Sequence, residues 1–276
     1  MGSIRYASLY FCIFERSKQL SRMYFKGLFL VAATFLIAFT GFSQSLDESV
    51  PDSLPDNVLL EKQWSLGAIL HTNGWGIKFR KGKNKTLLKQ WMWELEFSTY
   101  KAAKEYRVIN PYYSDSKSYI YGKLNYLSFL RGGVGAQRVL NRKPYWGGVE
   151  VSLLYYGGIS LGITKPVYLY IIHQTGTGSE YMISEEKYNP DIHFVDNIYG
   201  RASFLSHILN LGFYPGIYGK GGLLVDFGSK NRTITALEAG ATLDFSPIPI
   251  PIMAYNPKQN LFLTLYIGIN VGKRHN

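Results

Sequence analysis

The sequence predicts an all-β protein, namely a transmembrane antiparallel β-barrel that most simply has eight strands. Three observations lead to this prediction. Several segments alternate apolar and polar residues over more positions than the roughly 5–6 residues of an ordinary soluble strand. Aromatic residues make up 16% of the chain and charged residues only 18%, while the mean hydropathy is −0.06. An uncharged apolar segment near the amino terminus also has the form of an export signal.

The export signal is predicted over residues 1–43. Its apolar part reads GLFLVAATFLIAF (27–39), with Lys26 before it and the small residues Gly41 and Ser43 after it. The run is shorter than the roughly 20 residues that a transmembrane helix needs. We expect cleavage near Gln44 and a mature, multi-pass protein in the outer membrane; the alternative is an uncleaved anchor. Residues 1–22 are interpreted as an upstream extension, because Met23 stands close before Lys26.

The mature chain is predicted to begin with a periplasmic lead-in and to continue as the barrel. Residues 44–61 are acidic and contain proline, whereas 62–276 consist of strand-like segments and turns. Only 202–211 could form a short helix. The eight predicted strands are 62–73, 74–82, 89–102, 118–140, 146–172, 212–228, 231–246 and 260–273. The number becomes ten if the two longest strands break at Gly132-Gly133 and Gly157-Gly158.

The alternation itself is clearest near the carboxyl terminus. From Leu261 to Val271 every second residue is Leu, Ile or Val, and the intervening face carries Phe262, Thr264 and Asn270. A soluble sandwich buries such an apolar face, whereas a barrel in lipid turns it outward and keeps the polar face in the lumen. The strand length, the export signal and the tryptophans beside apolar strands favour the membrane barrel.

The connections between strands are predicted to be short at one end of the barrel and long at the other. Asn73-Gly74 is a strong signal for a two-residue hairpin. Short turns are expected at Lys83–Lys89, Arg142–Gly148 and Ser229–Arg232, on the periplasmic side. Longer connections near 103–117, 173–211 and 247–259 are expected to be extracellular.

The charge of the chain excludes some classes of partner. The net charge is +11, and residues 1–43 hold five cations against Glu15, which leaves +7 for the mature chain. No Lys/Arg-dense tract or nucleic-acid module is present, so we expect no nucleic-acid partner. The basic charge fits either an evenly solvated surface or attraction to anionic headgroups of outer-membrane lipids. The single cysteine, Cys12, falls in the predicted signal, and we expect no cofactor and no metal ion.

The sequence resembles a small outer-membrane β-barrel family of Bacteroidota over about residues 60–274. The stretches that carry the resemblance are HTNGWGIKFRKGKNKT (71–86), YIYGKLNYL (119–127), RKPYWGGVEV (142–151), SLGITKPVYLYII (160–172), YNPDIHFVDNIYGRASF (188–204) and IPIMAYN (250–256). The resemblance implies the fold and no particular activity. By analogy, small barrels of that phylum include accessory parts of the outer-membrane insertion and type IX secretion machineries.

Charged residues on the polar faces of the predicted strands are expected to meet in the lumen. They are Lys78, Arg80, Glu94, Glu96, Arg138, Glu150, Lys220, Asp226, Glu238 and Asp244. Paired carboxylates could serve acid–base catalysis. An eight-stranded barrel, however, has an interior that side chains just fill, and buried charges there must pair. A structural ion-pair network is therefore the favoured interpretation.

The long connections hold the candidate partner-binding residues. Aromatic and arginine side chains favoured in interfaces are Phe194, Tyr199, Arg201 and Phe204, and the rigid segment IPIPIM (248–253) adds Ile250 and Met253. The alternatives are a mobile loop for 173–211 and packing over the barrel mouth for 248–253. His173, His193 and His207 lack the spacing of a zinc motif; a weak metal site is the alternative to solvated loop histidines.

The function predicted from the sequence is that of a non-enzymatic outer-membrane barrel, structural or an accessory subunit of an envelope protein-insertion or secretion complex. Other envelope proteins are the candidate partners. One alternative is a lipid-modifying enzyme, because His71-Thr72 loosely resembles the His and Ser of lipid A deacylases; Asn73-Gly74 already explains this stretch as a turn. Another alternative is a narrow channel or a small-ligand binder.

Overall fold

The computed structural model describes most of the region predicted to form the barrel. The described residues are 62–84, 89–113, 116–141, 148–174, 181–204, 206–207, 209–228 and 233–275. The predicted export signal (1–43) and lead-in (44–61) lie outside them, as do the central residues of the three predicted periplasmic turns. No helix in these ranges is long and apolar enough to cross a membrane.

Eight antiparallel strands form a closed barrel, which confirms the predicted fold class. The barrel strands are β1 (Lys62–His71), β2 (Gly74–Asn84), β3 (Lys89–Tyr100), β6 (Asn125–Asn141), β7 (Glu150–Pro166), β11 (Gly212–Asp226), β12 (Thr233–Ile250) and β13 (Gln259–His275). Each pairs with its sequence neighbours in the barrel, and β1 closes the circle against β13 from Lys62↔His275 to His71↔Tyr266. We call the end with Lys62 and His275 the terminal end, and the opposite end the loop end.

The alternative of ten strands is wrong, because β6 and β7 each run unbroken through a Gly-Gly pair over 17 residues. The glycines serve close packing inside the barrel. A Cβ atom on Gly133 would lie 2.6 Å from the hydroxyl of Tyr218 and 2.5 Å from the carbonyl of Gly157. Gly133 therefore makes room for an inward tyrosine, and the strand continues through it.

The first hairpin turns at Thr72-Asn73, one residue earlier than the Asn73-Gly74 pair that the sequence predicted. Gly74 is the first residue of β2 and faces the carbonyl of Thr99, which a Cβ atom would approach to 2.4 Å. The turn is held to the next strand by the amide of Asn73, which donates to the Lys101 carbonyl over 3.0 Å.

Long connections at the loop end contain further strands. Between β3 and β6 lie β4 (Arg107–Val108) and β5 (Tyr119–Ile120), which pair with each other. Between β7 and β11, the strands β8 (Tyr168–Gln174), β9 (Tyr181–Lys187) and β10 (Ile198–Arg201) form a sheet in the order β10-β8-β9. The sequence predicted β5 and most of β8 only as continuations of the strands 118–140 and 146–172, and it did not predict the others. The short helix predicted over 202–211 is wrong, since the described residues there are turns and irregular backbone.

Candidate functional site

The lumen holds a network of eight charged side chains, each at most 3% exposed. They alternate with outward apolar residues on β2, β3, β6, β11 and β12. Four cations meet four carboxylates, so the set is neutral. Its members are Lys78, Arg80, Arg131 and Lys220, with Glu94, Glu96, Glu238 and Asp244.

Glu238 of β12 is the centre of one half of this network. Its carboxylate accepts hydrogen bonds from the Lys78 ammonium (2.6 Å) and from two nitrogens of the Arg80 guanidinium (2.6 and 2.9 Å). The hydroxyl of Tyr266 (2.7 Å) and the amide of Asn270 (2.9 Å) also donate to it. A buried carboxylate is stable only with such a set of donors.

Arginine and lysine connect Glu238 to the second half of the network. Arg80 also bonds Glu94 at 2.6 Å through Nε, and Lys220 lies between Glu94 (3.2 Å) and Glu96. Arg131 in turn bonds Glu96 and, through two nitrogens, the carboxylate of Asp244. The two bonds from Arg131 to Asp244 are 2.8 and 2.7 Å long.

Aromatic rings and ion pairs fill the lumen at this level. Arg80 lies 4.7 Å from the centre of the Tyr156 ring and Lys220 lies 4.6 Å from that of Tyr266, both at cation–π distance. Nearer the terminal end, a cavity beside Gln63 and Met92 measures about 10 Å³, which is at the lower limit for one water molecule. This cavity is too small for a substrate.

Not all of the predicted lumen residues belong to this network. Asp226 and Glu150 lie at the terminal end, where Arg274 approaches them at 3.0 and 3.6 Å. The placement of Arg138 in the lumen is wrong, because its side chain is exposed on the outside. On β6 the odd-numbered residues face inward, so the arginine in the lumen is Arg131, which the sequence analysis missed.

The His71 segment has the contacts of a turn. His71 Nδ1 accepts from the backbone N–H of Asn73 at 3.3 Å, and the Thr72 hydroxyl donates to the Asn73 side chain at 2.8 Å. A nucleophilic hydroxyl would need to donate to a general base such as the histidine. The hydroxyl beside His71 is instead engaged in the turn.

We expect His71→Ala to leave both folding and the acylation pattern of lipid A unchanged, because the side chain supports only a turn contact. Mass spectrometry of lipid A from strains carrying either form checks this. A lipid A acyl chain retained only in the His71→Ala strain would contradict the non-enzymatic interpretation. The variant His71→Asn is the control, because its side-chain oxygen can still accept the hydrogen bond of the turn.

The loop end is covered by a packed cap rather than by open loops. One apolar cluster lies among the additional strands. It consists of Tyr119, Val167, Leu169, Ile171, Tyr188 and Ile198. A second cluster fills the barrel mouth with Leu127, Phe129, Ile250, Ile252 and Phe262. The prediction of Ile250 as a partner-binding residue is wrong, since it is fully buried in this second cluster. Met253 is half-buried against the same cluster.

The other predicted partner-binding residues lie at the surface of the cap. Phe194 and Phe204 are 55% and 60% exposed, and Arg201 is exposed. Tyr199 is half-buried and packs against Tyr113 with ring centroids 5.6 Å apart. Arg201 and Phe204 line one cavity, described below, which Phe194 and Tyr199 do not line.

Two of the three loop histidines contact one carboxylate. Glu186 of β9 is 2.5 Å from His173 and 3.2 Å from His193, while His207 lies 3.9 Å from Glu185. The Ser184 hydroxyl and then His173 hold the pKa of the Glu186 carboxyl below its usual range by hydrogen bonding. Within the described ranges, no three His, Cys, Asp or Glu side chains converge so as to hold a metal ion.

A cavity of about 790 Å³ lies between the cap and the loop ends of β3, β6 and β7. Six cations line it: Lys101, Arg107, Lys117, Lys123, Lys165 and Arg201. Its lining includes one carboxylate, Glu105, which pairs with Lys123 at 2.7 Å. Aromatic rings complete the wall, among them Tyr126, Tyr168 and Phe204. Arg201 and Phe204 were predicted as partner-binding residues, but the cavity itself was not predicted from the sequence, because its residues come from five separate segments.

No protein-family model and no curated protein matches this chain. Solved structures with a similar fold include Ail, the attachment invasion locus protein of Yersinia pestis, with 9% identity and a TM-score of 0.38 over 78% of this chain and 97% of that one. Neisserial surface protein A follows with 8% identity and a TM-score of 0.37 over 77% and 95%. The N-terminal β-barrel domain of Pseudomonas aeruginosa OprF has 8% identity and a TM-score of 0.30 over 76% and 96%. These values identify no family for the chain.

Proposed function

We propose that this chain is a non-enzymatic outer-membrane barrel whose filled lumen leaves the cap as its functional surface. The observation that carries the proposal is the outer face of the barrel, where apolar side chains are exposed on every strand. Ile159 of β7, Ile217 of β11 and Leu263 of β13 are 72%, 61% and 62% exposed. Soluble monomers rarely expose apolar patches of more than a few hundred Å². A surrounding hydrocarbon phase accounts for this surface.

The height of the apolar surface also supports a membrane location. On β13 the outward residues are apolar from Leu261 to Val271. Ten steps of roughly 3.4 Å, inclined by about 40°, span roughly 26 Å along the barrel axis, close to the apolar band of about 25 Å in outer-membrane barrels. The strand is therefore long enough to cross the hydrocarbon layer once.

Tryptophan and lysine side chains lie where this surface ends. At the terminal end, Lys81 of β2 pairs in register with Trp64 on one side and with Trp93 on the other, and all three are exposed. Trp75, on the same face of β2, is exposed at the loop end. Tryptophan favours membrane interfaces because its ring is amphipathic, and lysine there reaches the headgroups.

The orientation of the barrel follows from its connections. Outer-membrane barrels have short periplasmic turns and longer extracellular loops. The terminal end is accordingly proposed to be periplasmic, and the cap extracellular. The predicted signal over 1–43 would supply export, with the mature chain beginning near Gln44.

The structure favours this proposal over the two alternatives from the sequence. The charged groups of the lumen are paired with one another and enclosed, which suits neither acid–base catalysis nor an aqueous pathway. The role proposed for the protein is that of an accessory subunit of an envelope insertion or secretion complex. Its cap would bind the partner.

Two adjacent segments of the cap expose the apolar residues expected of a partner site. Asn110 donates to the carbonyls of Val195 (3.1 Å) and Ile198 (2.7 Å) and so joins the segment 109–113 to the segment 192–199. Exposed side chains on these segments are Ile109, Tyr112, Ile192 and Phe194. We call these four residues the apolar cap patch.

The double change Ile192→Ser and Phe194→Ser is expected to abolish co-purification of envelope-machinery proteins while the barrel stays folded and in the outer membrane. Both side chains are exposed, so their loss removes contact area without opening the core. Affinity purification from mild detergent with mass spectrometry, combined with membrane fractionation and a heat-modifiability gel, measures both effects. Point changes are preferable to deletion of the segment 192–199, because deletion would also remove the buried Ile198 of β10.

Leu209→Ser is the matched control, since Leu209 is 92% exposed elsewhere in the same connection. It should leave co-purification unchanged. If the double variant retains the same machinery proteins at wild-type yield, the apolar cap patch is not the partner site. If no machinery protein accompanies even the wild-type protein, the accessory role is contradicted.

A further inference from the structure

We propose that the cavity at the loop end binds the phosphorylated sugar headgroup of a lipid that lies against the outside of the barrel. The inference rests on the proposed membrane location and adds to it a ligand class and a site. It concerns the cavity between the cap and β3, β6 and β7, and not the apolar cap patch.

Part of the wall of the cavity belongs to the outer face of the barrel. Tyr126 lies on the same face of β6 as the exposed Leu130, because residues two and four positions apart share a face. Lys165 likewise lies on the same face of β7 as Ile159, which is largely exposed. The cavity thus begins where the apolar outer surface ends, at the level where lipid headgroups would lie.

The lining of the cavity is positively charged. Among the described residues of the lining there are six cations and one carboxylate, and Lys123 pairs with that carboxylate, Glu105. The other five cations give the cavity an excess of positive charge. They lie on β7 and on the segments around β4, β5 and β10. Such an arrangement stabilises a ligand with more than one negative charge, because several cations can donate charge-assisted hydrogen bonds to it.

Lys165 of β7 places a further ammonium in the wall of the cavity. The residue is only 7% exposed and lines the cavity, and its ammonium lies 4.1 Å from the centre of the Phe204 ring. Within the described part of the chain, no carboxylate comes within 4.0 Å of it; Glu185 lies farther away and approaches His207 at 3.9 Å. A phosphate entering the cavity would therefore give the Lys165 ammonium a partner for a charge-assisted hydrogen bond.

The volume of the cavity and its aromatic residues indicate the rest of the ligand. A volume of about 790 Å³ far exceeds a phosphate ion and lies in the range of roughly 300–1,000 Å³ typical of small-molecule sites. Tyr126 and Phe204, whose ring centroids are 5.5 Å apart, offer apolar surface for a sugar ring. Phe204 is also 60% exposed, so its ring offers further apolar surface that the acyl chains of a lipid would cover.

Native mass spectrometry of the purified full-length barrel in detergent tests the proposal. The probe is a glycolipid with a phosphorylated glucosamine headgroup, titrated beside its dephosphorylated form and beside soluble glucosamine 6-phosphate. The wild-type protein should bind the phosphorylated lipid and should bind the other two probes at least tenfold more weakly. The change Lys165→Gln should weaken binding of the phosphorylated lipid about tenfold, the size expected from the loss of one charge-assisted hydrogen bond.

A second variant guards against a folding defect at the buried lysine. The triple change Lys101→Gln, Arg107→Gln and Arg201→Gln alters exposed cavity residues only and should weaken binding by roughly a hundredfold or more. The control Lys258→Gln removes an exposed cation at the loop end that is not part of the cavity lining, and it should bind like the wild type.

Equal binding by the wild type and the triple variant would overturn the proposal. Equal affinity for the soluble sugar phosphate would also overturn it, since the ligand would then need no membrane. Neither result depends on protein partners, whereas the proposed accessory role is tested by co-purification through Ile192 and Phe194. The two proposals can therefore fail separately.

Discussion

Replacement of Glu238 by alanine is expected to lower the free energy of unfolding by about 3–5 kcal/mol, the range observed when one partner of a buried ion pair is removed. The carboxylate accepts hydrogen bonds from Lys78 and Arg80 and from the neutral groups of Tyr266 and Asn270. Its loss leaves four cations and three carboxylates in a lumen that water enters poorly. The excess positive charge is the main cause of the expected instability.

Urea titration of the barrel folded into lipid vesicles, followed by tryptophan fluorescence, measures the change. The control is Thr242→Ala on the same strand, an inward, buried and uncharged side chain. Its alanine variant should lose about 1–3 kcal/mol at most, because no charge is stranded. A loss from Glu238→Ala no larger than that of this control would show that the network contributes no electrostatic stability.

A double-mutant cycle separates pairing from simple truncation. Glu94 and Arg80, which approach to 2.5 Å, form one such pair. Glu94→Ala should cost more stability than the double change Glu94→Ala with Arg80→Met, because the second change removes the stranded guanidinium. Additive effects would mean that the two groups do not interact.

The barrel could be predicted from the sequence because its signal is local. The period of two in 261–271 assigns an outward and an inward face to β13 without knowledge of any other strand. The same period gives the inward positions of Lys78, Glu94 and Glu238. The error at Arg138 came from disregard of that period on β6, where Arg131 has the inward parity.

The partners within the lumen could not be predicted in the same way. Lys78 and Glu238 are far apart in sequence, and their contact depends on the register of the closed sheet and on the closure of β1 against β13. Register is a tertiary property, since a shift by two residues keeps every face and changes every pair. The sequence therefore indicates which charges are inside, and the structure indicates which of them meet.

The cap was missed for a different reason. The strand β9 reads YMISEEK and is exposed or half-exposed throughout, so it has no alternation to detect. Most of its partner β8 was predicted as strand, but as the end of the long strand 146–172, because its apolar residues follow β7 closely in the sequence. The cavity then arises from residues that only the folded cap brings together with the ends of β6 and β7.

The membrane location leads to the other large expected effect. Leu265→Arg should lower the stability of the folded barrel in vesicles by about 2–4 kcal/mol, the cost of an arginine on the lipid face near the midplane of the bilayer. Leu265 is half-exposed near the middle of the outward apolar residues of β13. The cost arises because the guanidinium must enter hydrocarbon or draw water and headgroups toward it.

The matched control is Val271→Arg, on the same face of the same strand but near the terminal end. There the cost should fall to about 0–1 kcal/mol, because arginine reaches the interface from that position. Urea unfolding in vesicles gives both values under one protocol. A water-exposed outer face would instead tolerate both arginines equally. Improved solubility of the Leu265→Arg protein without detergent would also contradict the membrane location. The difference between the two positions, rather than either value alone, therefore measures whether this face of β13 lies in lipid.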